Sequence, residues 1–387
     1  MFASRTNWNL SENRLTLALA EHRRSGHAVF DLTISNPTEC GFAYDESAIL
    51  ASFQSAASIR YEPAAQGLAS ARESVAAYYR SIGADVAPGD LFLTTSTSEA
   101  YSYLFRLLCN PGDEILILSP SYPLFDFLAD LNDVKLVRYP LVYDHGWQLD
   151  FSSFERAISP RTRAAIVVHP NNPTGHYAKL HEQSQLTALC ARNNLAVIAD
   201  EVFLDFALQG VATPSFTTQN TALTFTLSGI SKLCGLPQMK CAWIALSGPP
   251  ELKHAAARRL EVIADSYLSM NAPIQHALPA LLATRQQFQS QLLARVRANL
   301  AVLDAQLAAQ NICSRLVTEA GWNVILRVPA TRSDEDLALA LLERQGVLTH
   351  PGHFYDFPQD GYLVLSLIVQ EAAFAEGIRR LLAFFRD

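Results

Sequence analysis

Six short apolar runs, at residues 90–95, 114–118, 164–168, 195–199, 221–227 and 241–246, constrain this chain more than any other feature. Each is apolar throughout rather than alternating, the pattern of a strand buried on both faces. Helical stretches separate them, among them residues 98–108 and the stretch following Pro123. Strand, helix, strand in series means an α/β fold with a mostly parallel sheet between two helix layers, a three-layer αβα domain. In such sheets ligands bind beyond the carboxyl ends of the strands. Five places therefore deserve scrutiny: Thr95 to Thr97, Ser119 to Pro123, His169 to Gly175, Asp200, and Ser228 to Lys232.

The pattern changes after about residue 250. Residues 273–310 read as one long helix, followed by strands at 315–328, 347–350 and 362–367 and helices at 333–344 and 371–385. This is a smaller α+β domain. The first forty residues contain no strand of the large sheet. The expected division is a large domain over 41–285 and a small domain formed by both chain ends, 1–40 and 286–387.

Composition removes several classes of function. With 49% hydrophobic and 17% charged residues among 387, the chain has ample apolar surface to order itself. No apolar run approaches the ~18 residues of a membrane-spanning helix; the richest, Ile115 to Leu131, is interrupted by Ser119, Pro120, Ser121, Pro123 and Asp126. A net charge of −7 argues against a nucleic-acid partner. Residues Met1 to Asn9 lack the features of a signal peptide, and the six cysteines lack disulfide or zinc-ligand spacing. A cytoplasmic enzyme without a metal site is expected.

Four features fall at the strand ends. Asp200 closes an apolar run, where a carboxylate is poorly solvated: it is either a helix cap or structural ion pair, or the partner of a cation in a dry site. Lys232 follows Ser228-Gly-Ile-Ser231; next to low-dielectric walls a lysine loses its proton more readily and becomes a Schiff-base nucleophile, and otherwise it is a solvated surface lysine. Thr95-Ser96-Thr97 leads from a strand into a helix, either as a simple cap or as an anion cradle of N–H groups, hydroxyls and helix dipole. Asn172-Pro-Thr-Gly175 is a turn whose Pro and Gly are explained by turn chemistry, whereas the amide is not.

In this order, Asn-Pro-Thr-Gly, Asp-Glu-Val-Phe and Ser-Lys resemble the fold-type I, class I/II aminotransferases that use pyridoxal 5′-phosphate, from about Ile34 to the C-terminus. The resemblance implies a transferase of amino groups between an amine or amino acid and a keto acid or aldehyde. By likeness, Lys232 forms the Schiff base and moves the proton, Asp200 pairs with the ring nitrogen, Asn172 bonds the ring's 3′ oxygen, and Tyr122 stacks on the ring. Ser96, Thr97 and Ser231 hold the phosphate. Tyr61 matches a tyrosine that reaches the phosphate from a neighbouring subunit, which implies a homodimer with its sites at the interface. A C–S β-lyase, a decarboxylase or an inactive binding protein on the same scaffold stays open, since the same Lys, Asp and Asn serve each.

The departures are as informative. Lys240 stands where the family usually has a phosphate-binding Arg, keeping the charge and losing the bidentate fork. Phe203 stands where a Tyr often donates to the ring oxygen, so the Schiff base is expected to have a raised pKa. Val364 aligns with the Arg that grips the substrate's α-carboxylate, and Ser35, next to Asn36, replaces a Gly that approaches the same group. Either the substrate has no α-carboxylate (an amine, amino sugar, amino alcohol or β-amino compound), or another cation such as Arg327, His350 or His353 supplies the grip. His169, just before Pro170, either touches the substrate or packs behind the site.

Overall fold

A computed structural model describes residues 1–208 and 214–386. The strands are β1 (Phe30–Asp31), β2 (Leu91–Thr94), β3 (Glu114–Ser119), β4 (Lys135–Tyr143), β5 (Trp147–Leu149), β6 (Thr162–Val168), β7 (Ala196–Asp200), β8 (Thr224–Gly229), β9 (Ala242–Ser247), β10 (Ser314–Arg315), β11 (Asn323–Arg327), β12 (Val347–Leu348), β13 (His350–Pro351) and β14 (Tyr362–Ser366). Eight of them form one sheet in the order β2-β9-β8-β7-β6-β3-β4-β5. The run β8-β7-β6-β3-β4 is parallel, β9 lies antiparallel between β2 and β8, and β5 folds back on β4.

Both faces of this sheet are covered, which is why its central strands are apolar end to end. On one face Ile115, Ile117, Ile166, Ile198 and Phe225 pack with Leu104 and Phe105 of the helix Thr97–Leu108 and Leu260 of the helix Pro250–Ser266. On the other, Leu116, Val167 and Val197 meet Leu186 and Leu189 of the helix Leu180–Arg192, while Leu93 and Trp243 meet Val75 and Leu278 of the helices Ala69–Ser81 and Ala272–Ala283. Each large apolar side chain so buried contributes about 1.5–3 kcal/mol.

A second, antiparallel sheet runs β10-β11-β14-β13. Val324, Leu326, Leu363 and Leu365 from it share a core with Leu292 and Val296 of the helix Arg285–Ala308 and with Phe374 and Ile378 of the helix Glu371–Phe384. The N-terminal segment joins this body: β1 pairs in parallel with β12, and Arg14 bridges Glu335 and Asp336 at 2.9 Å each. Its first residues reach the large sheet's helices, with Arg5 on Asp133 at 2.7 Å and the Trp8 indole N–H donating to Asp130 at 2.9 Å.

Several expectations need correction: the strands expected over 315–328 and 347–350 are each two short ones, β10 and β11 and then β12 and β13, and β12 and β13 belong to different sheets. The single helix over 273–310 is two, Ala272–Ala283 and Arg285–Ala308. The break falls at Thr284, whose hydroxyl donates to the Leu281 carbonyl and competes with the helical ladder. The strands β4 and β5 were absent from the list of apolar runs. β4 alternates exposed and buried positions, carries Lys135, Arg138 and Pro140, and lies near the sheet edge, so it lacks the continuous apolar signature. Among the described residues no helix is long and apolar enough to cross a membrane.

Candidate active site

A cavity of about 320 Å³ opens beyond the carboxyl ends of β2, β6, β7 and β8, where the parallel core meets the smaller sheet. Asp200 closes β7 in register with Val168 of β6 and Leu227 of β8, and is 7% exposed. Its Oδ1 accepts from the Val202 N–H at 3.2 Å and its Oδ2 from the Tyr101 hydroxyl at 3.0 Å. Burial pushes its carboxyl up to about 6, against the pull of these donors and of Lys232. Burial, with Asp200 close by, drives the Tyr101 hydroxyl far above its ordinary range, so it stays a donor.

Lys232 reaches the same cavity from the next strand. β8 ends at Gly229, where a Cβ would meet the Cys241 carbonyl at 2.8 Å, and the short helix Ile230–Leu233 follows at once. The lysine forms no ion pair with Asp200 among the described residues. Its Nζ lies 5.1 Å from the Trp322 ring centre and 5.9 Å from that of Phe203. Burial lowers its pKa below the ordinary lysine value, with Asp200 opposing. A buried amine beside a buried carboxylate, unpaired, is a nucleophile held next to a group that wants a cation.

Two more walls supply hydrogen bonds. Ser96 caps the helix Thr97–Leu108 by accepting from the Glu99 N–H at 3.1 Å, while Glu99 accepts from the Thr95 N–H at 2.7 Å. This cap leaves the N–H groups of Thr97 and Ser98 for an anion, at the positive end of the helix dipole. In the turn after β6, Asn171 rather than Asn172 builds the backbone, accepting from the Thr174 hydroxyl at 2.8 Å. Gly175 completes that turn at φ +70°, with a Cβ position 2.5 Å from the Ala320 carbonyl, so only glycine fits. Asn172 is thereby turned to the cavity, and its Oδ1 accepts from the Asn323 amide at 2.7 Å, which leaves its N–H₂ for a ligand.

Of the residues singled out in the sequence, Ser35, Ser96, Thr97, Tyr122, Asn172, Asp200, Phe203, Ser231, Lys232 and Val364 line this cavity together. Asn36, Lys240 and Tyr61 do not. Asn36 caps the turn Pro37–Glu39 and donates to Glu39 at 3.0 Å. Lys240 is exposed, at φ +49°, and Tyr61 is 73% exposed. Of the alternative cations, His350 lines the cavity, whereas Arg327 and His353 are exposed outside it. His169 is fully buried behind the site: its Nδ1 accepts from the Ala178 N–H, Tyr177 and Phe216 flank it, and burial pulls its pKa down to about 3. Among the cavity residues that the sequence reading did not single out are Tyr101, Asn323, Trp322, Tyr355 and Thr33. Tyr101 had a signal, since it lies four residues after Thr97 and so on the same helix face as the anion cradle.

The model of the family described as aminotransferase class I and II matches residues 32–379. A glutamate-pyruvate aminotransferase of Haemophilus influenzae is 25% identical over 376 residues, covering 94% of this chain and 92% of its own. An alanine aminotransferase of Mycobacterium tuberculosis is 27% identical over 388 residues, covering 92% and 85%. Among solved structures, an alanine aminotransferase from Pyrococcus furiosus superposes with a TM-score of 0.90 over 100% of both chains, at 22% identity. The strand-end cavity, with its carboxylate at the end of β7 and its lysine just beyond the end of β8, thus sits in a chain that belongs to the aminotransferase class I and II family.

Proposed function

We propose that this aminotransferase works with pyridoxal 5′-phosphate held in the cavity described above. The observation that carries the reading is the pair Asp200, buried at the end of β7, and Lys232, half-buried on the helix that follows β8, neither neutralised by the other. The residues fit the cofactor at four points. The Asp200 carboxylate has no cation within ion-pair distance among the described residues and suits a protonated ring nitrogen. The free N–H groups of Thr97 and Ser98, with the Ser96 and Ser231 side chains near, suit a phosphate. The Asn172 amide suits the ring's phenolic oxygen, and Tyr122, 43% exposed at the rim, supplies a ring face.

When bound, the cofactor supplies a carbonyl that takes the substrate amine and a ring that accepts electrons. The protein does the rest. Asp200, held by Tyr101 and the Val202 N–H, keeps the ring nitrogen protonated. Lys232 Nζ, whose pKa burial lowers, would take the proton from the amine-bearing carbon and give it back on the far side of the transfer. Net, R₂CH–NH₂ and R′₂C=O become R₂C=O and R′₂CH–NH₂, so no outside oxidant or reductant enters. Trp322, Phe203 and Val364 exclude water from the proton's path.

The reading includes a homodimer. Ile59, Tyr61 and Leu268 are 93%, 73% and 70% exposed, and the Ala64 N–H donates to Ser269, so these apolar side chains lie on one face that a second subunit would cover. Tyr61 and Lys240 then serve phosphate binding across or beside that interface. The chain divides into a large unit over 41–285 and a small one from 1–40 and 286–387. Six unpaired cysteines suit a reducing, cytoplasmic setting.

The test is Lys232→Ala with added cofactor. The wild-type protein gains an absorbance band that borohydride fixes covalently to a peptide containing residue 232. Loss of that band in the variant, with activity down at least about 10⁴-fold, supports the assignment; a persisting covalent band overturns it.

A further inference from the structure

The cavity wall facing Lys232 from the smaller sheet has an unusual charge inventory. Among its described lining residues only Lys232 and Asp200 carry a permanent type of charge, and no arginine is present. Both charges are committed in the proposed function. Val364 and His350 stand opposite each other on β14 and β13. Val364 is 1% exposed, and the His350 Nδ1 lies 3.1 Å from the Tyr355 hydroxyl, which is itself on the wall. Burial lowers the His350 pKa, opposed by Asp31, which favours the neutral ring.

A carboxylate set against Val364 and a neutral imidazole would be a buried charge without a partner, an arrangement proteins avoid. A neutral His–Tyr pair offers something else. One ring nitrogen and one hydroxyl hold each other, which leaves one donor and one acceptor between them for a ligand. A hydroxyl group uses both. The Thr33 and Ser35 side chains, on the same cavity, extend this neutral polar surface.

Building on the aminotransferase reading, we infer that this site takes a hydroxyl-bearing amine without an α-carboxylate, an amino alcohol, and that His350 and Tyr355 recognise its hydroxyl. The reaction is the exchange written above with R₂CH–NH₂ an amino alcohol and R₂C=O the corresponding hydroxy aldehyde or hydroxy ketone. The amino group goes to an aldehyde or ketone that likewise lacks a carboxylate beside its carbonyl, and atoms balance without another reactant.

Matched pairs test this, because phenylalaninol and phenylalanine, or alaninol and alanine, differ only in CH₂OH against carboxylate. The holoenzyme is mixed with each, and the second-order rate of conversion to the amino form of the cofactor is read from its spectrum. The amino alcohols are expected to react at least about tenfold faster, the discrimination a site built for a hydroxyl imposes. Binding without turnover is read separately from the part of the tryptophan fluorescence change that Trp322→Phe removes, with 3-phenylpropanol expected to bind more tightly than 3-phenylpropanoate. His350→Phe should slow phenylalaninol more than it slows phenethylamine, which lacks the hydroxyl. Val364→Arg should move the preference toward phenylalanine. Faster reaction of the amino acids in the wild type overturns the inference and leaves the aminotransferase reading intact. No conversion with any compound, despite a bound cofactor, overturns both.

Discussion

The Tyr101 hydroxyl donates to Asp200 Oδ2 at 3.0 Å, joining a helix face to a strand end across the bottom of the cavity. It is one of two hydrogen bonds that keep this carboxylate charged in a dry setting; the other comes from the Val202 N–H. Tyr101→Phe removes a bond to a charged group, worth about 1.5–3 kcal/mol. Cofactor affinity should fall about tenfold or more, and the fall should be steepest on the acid side of neutrality, since Asp200 loses a donor that holds its pKa down. Dissociation constants measured from pH 5.5 to 8 decide this. A uniform loss at every pH would make Tyr101 a packing residue only.

Asp200 also sets a pH dependence of the cofactor-free protein. Its folded pKa of about 6 lies above the ordinary 3.8, so the folded state binds the proton more tightly than the unfolded one. Its contribution is therefore most favourable below pH 4 and is lost as pH rises toward 6, by on the order of 3 kcal/mol. Asp200→Asn should flatten that dependence and raise the apo protein's stability at pH 7, while removing activity. Denaturant unfolding at pH 5 and pH 7 for the two proteins gives the comparison; equal slopes would contradict the assignment.

Phe203 packs edge-on against Trp322 at 4.9 Å and offers no hydroxyl to the cavity. Phe203→Tyr should supply a donor to the ring oxygen and lower the pH midpoint of the Lys232-linked cofactor absorbance by about one to two units. A spectroscopic pH titration reads it directly. An already low midpoint in the wild type would mean another donor does this work.

The interface proposal predicts complementation. Tyr61→Ala and Lys232→Ala, each impaired alone, should recover activity when co-expressed, because a hybrid dimer holds one site with both native residues. Sedimentation analysis should show a dimer for each. A monomer, or no recovery in a demonstrated hybrid, removes Tyr61 from the site.

Much of this arrangement was readable from residue order because strands buried on both faces announce themselves as unbroken apolar runs, and their ends mark the crevice. Asp200, Lys232 and Asn172 were found that way. β4 was not, since one-sided burial dilutes the apolar signal, and neither was the direction of β9, because an apolar run reads the same in both senses. Asn323 and Trp322 lie on and beside a strand of the other sheet, some 150 residues from Asn172 in the chain. Only folding brings them to the site, and no local pattern records that.

Asp200 ends β7, and Lys232 lies on the short helix Ile230–Leu233 that leaves β8, the parallel neighbour of β7, so both are anchored to the large sheet. The wall proposed to meet the substrate, with His350 and Val364, belongs to a different sheet. Reaction chemistry and choice of substrate are thus mechanically separate. The second sheet can be rebuilt for a new amine while the placing of Asp200 and Lys232 stays as it is.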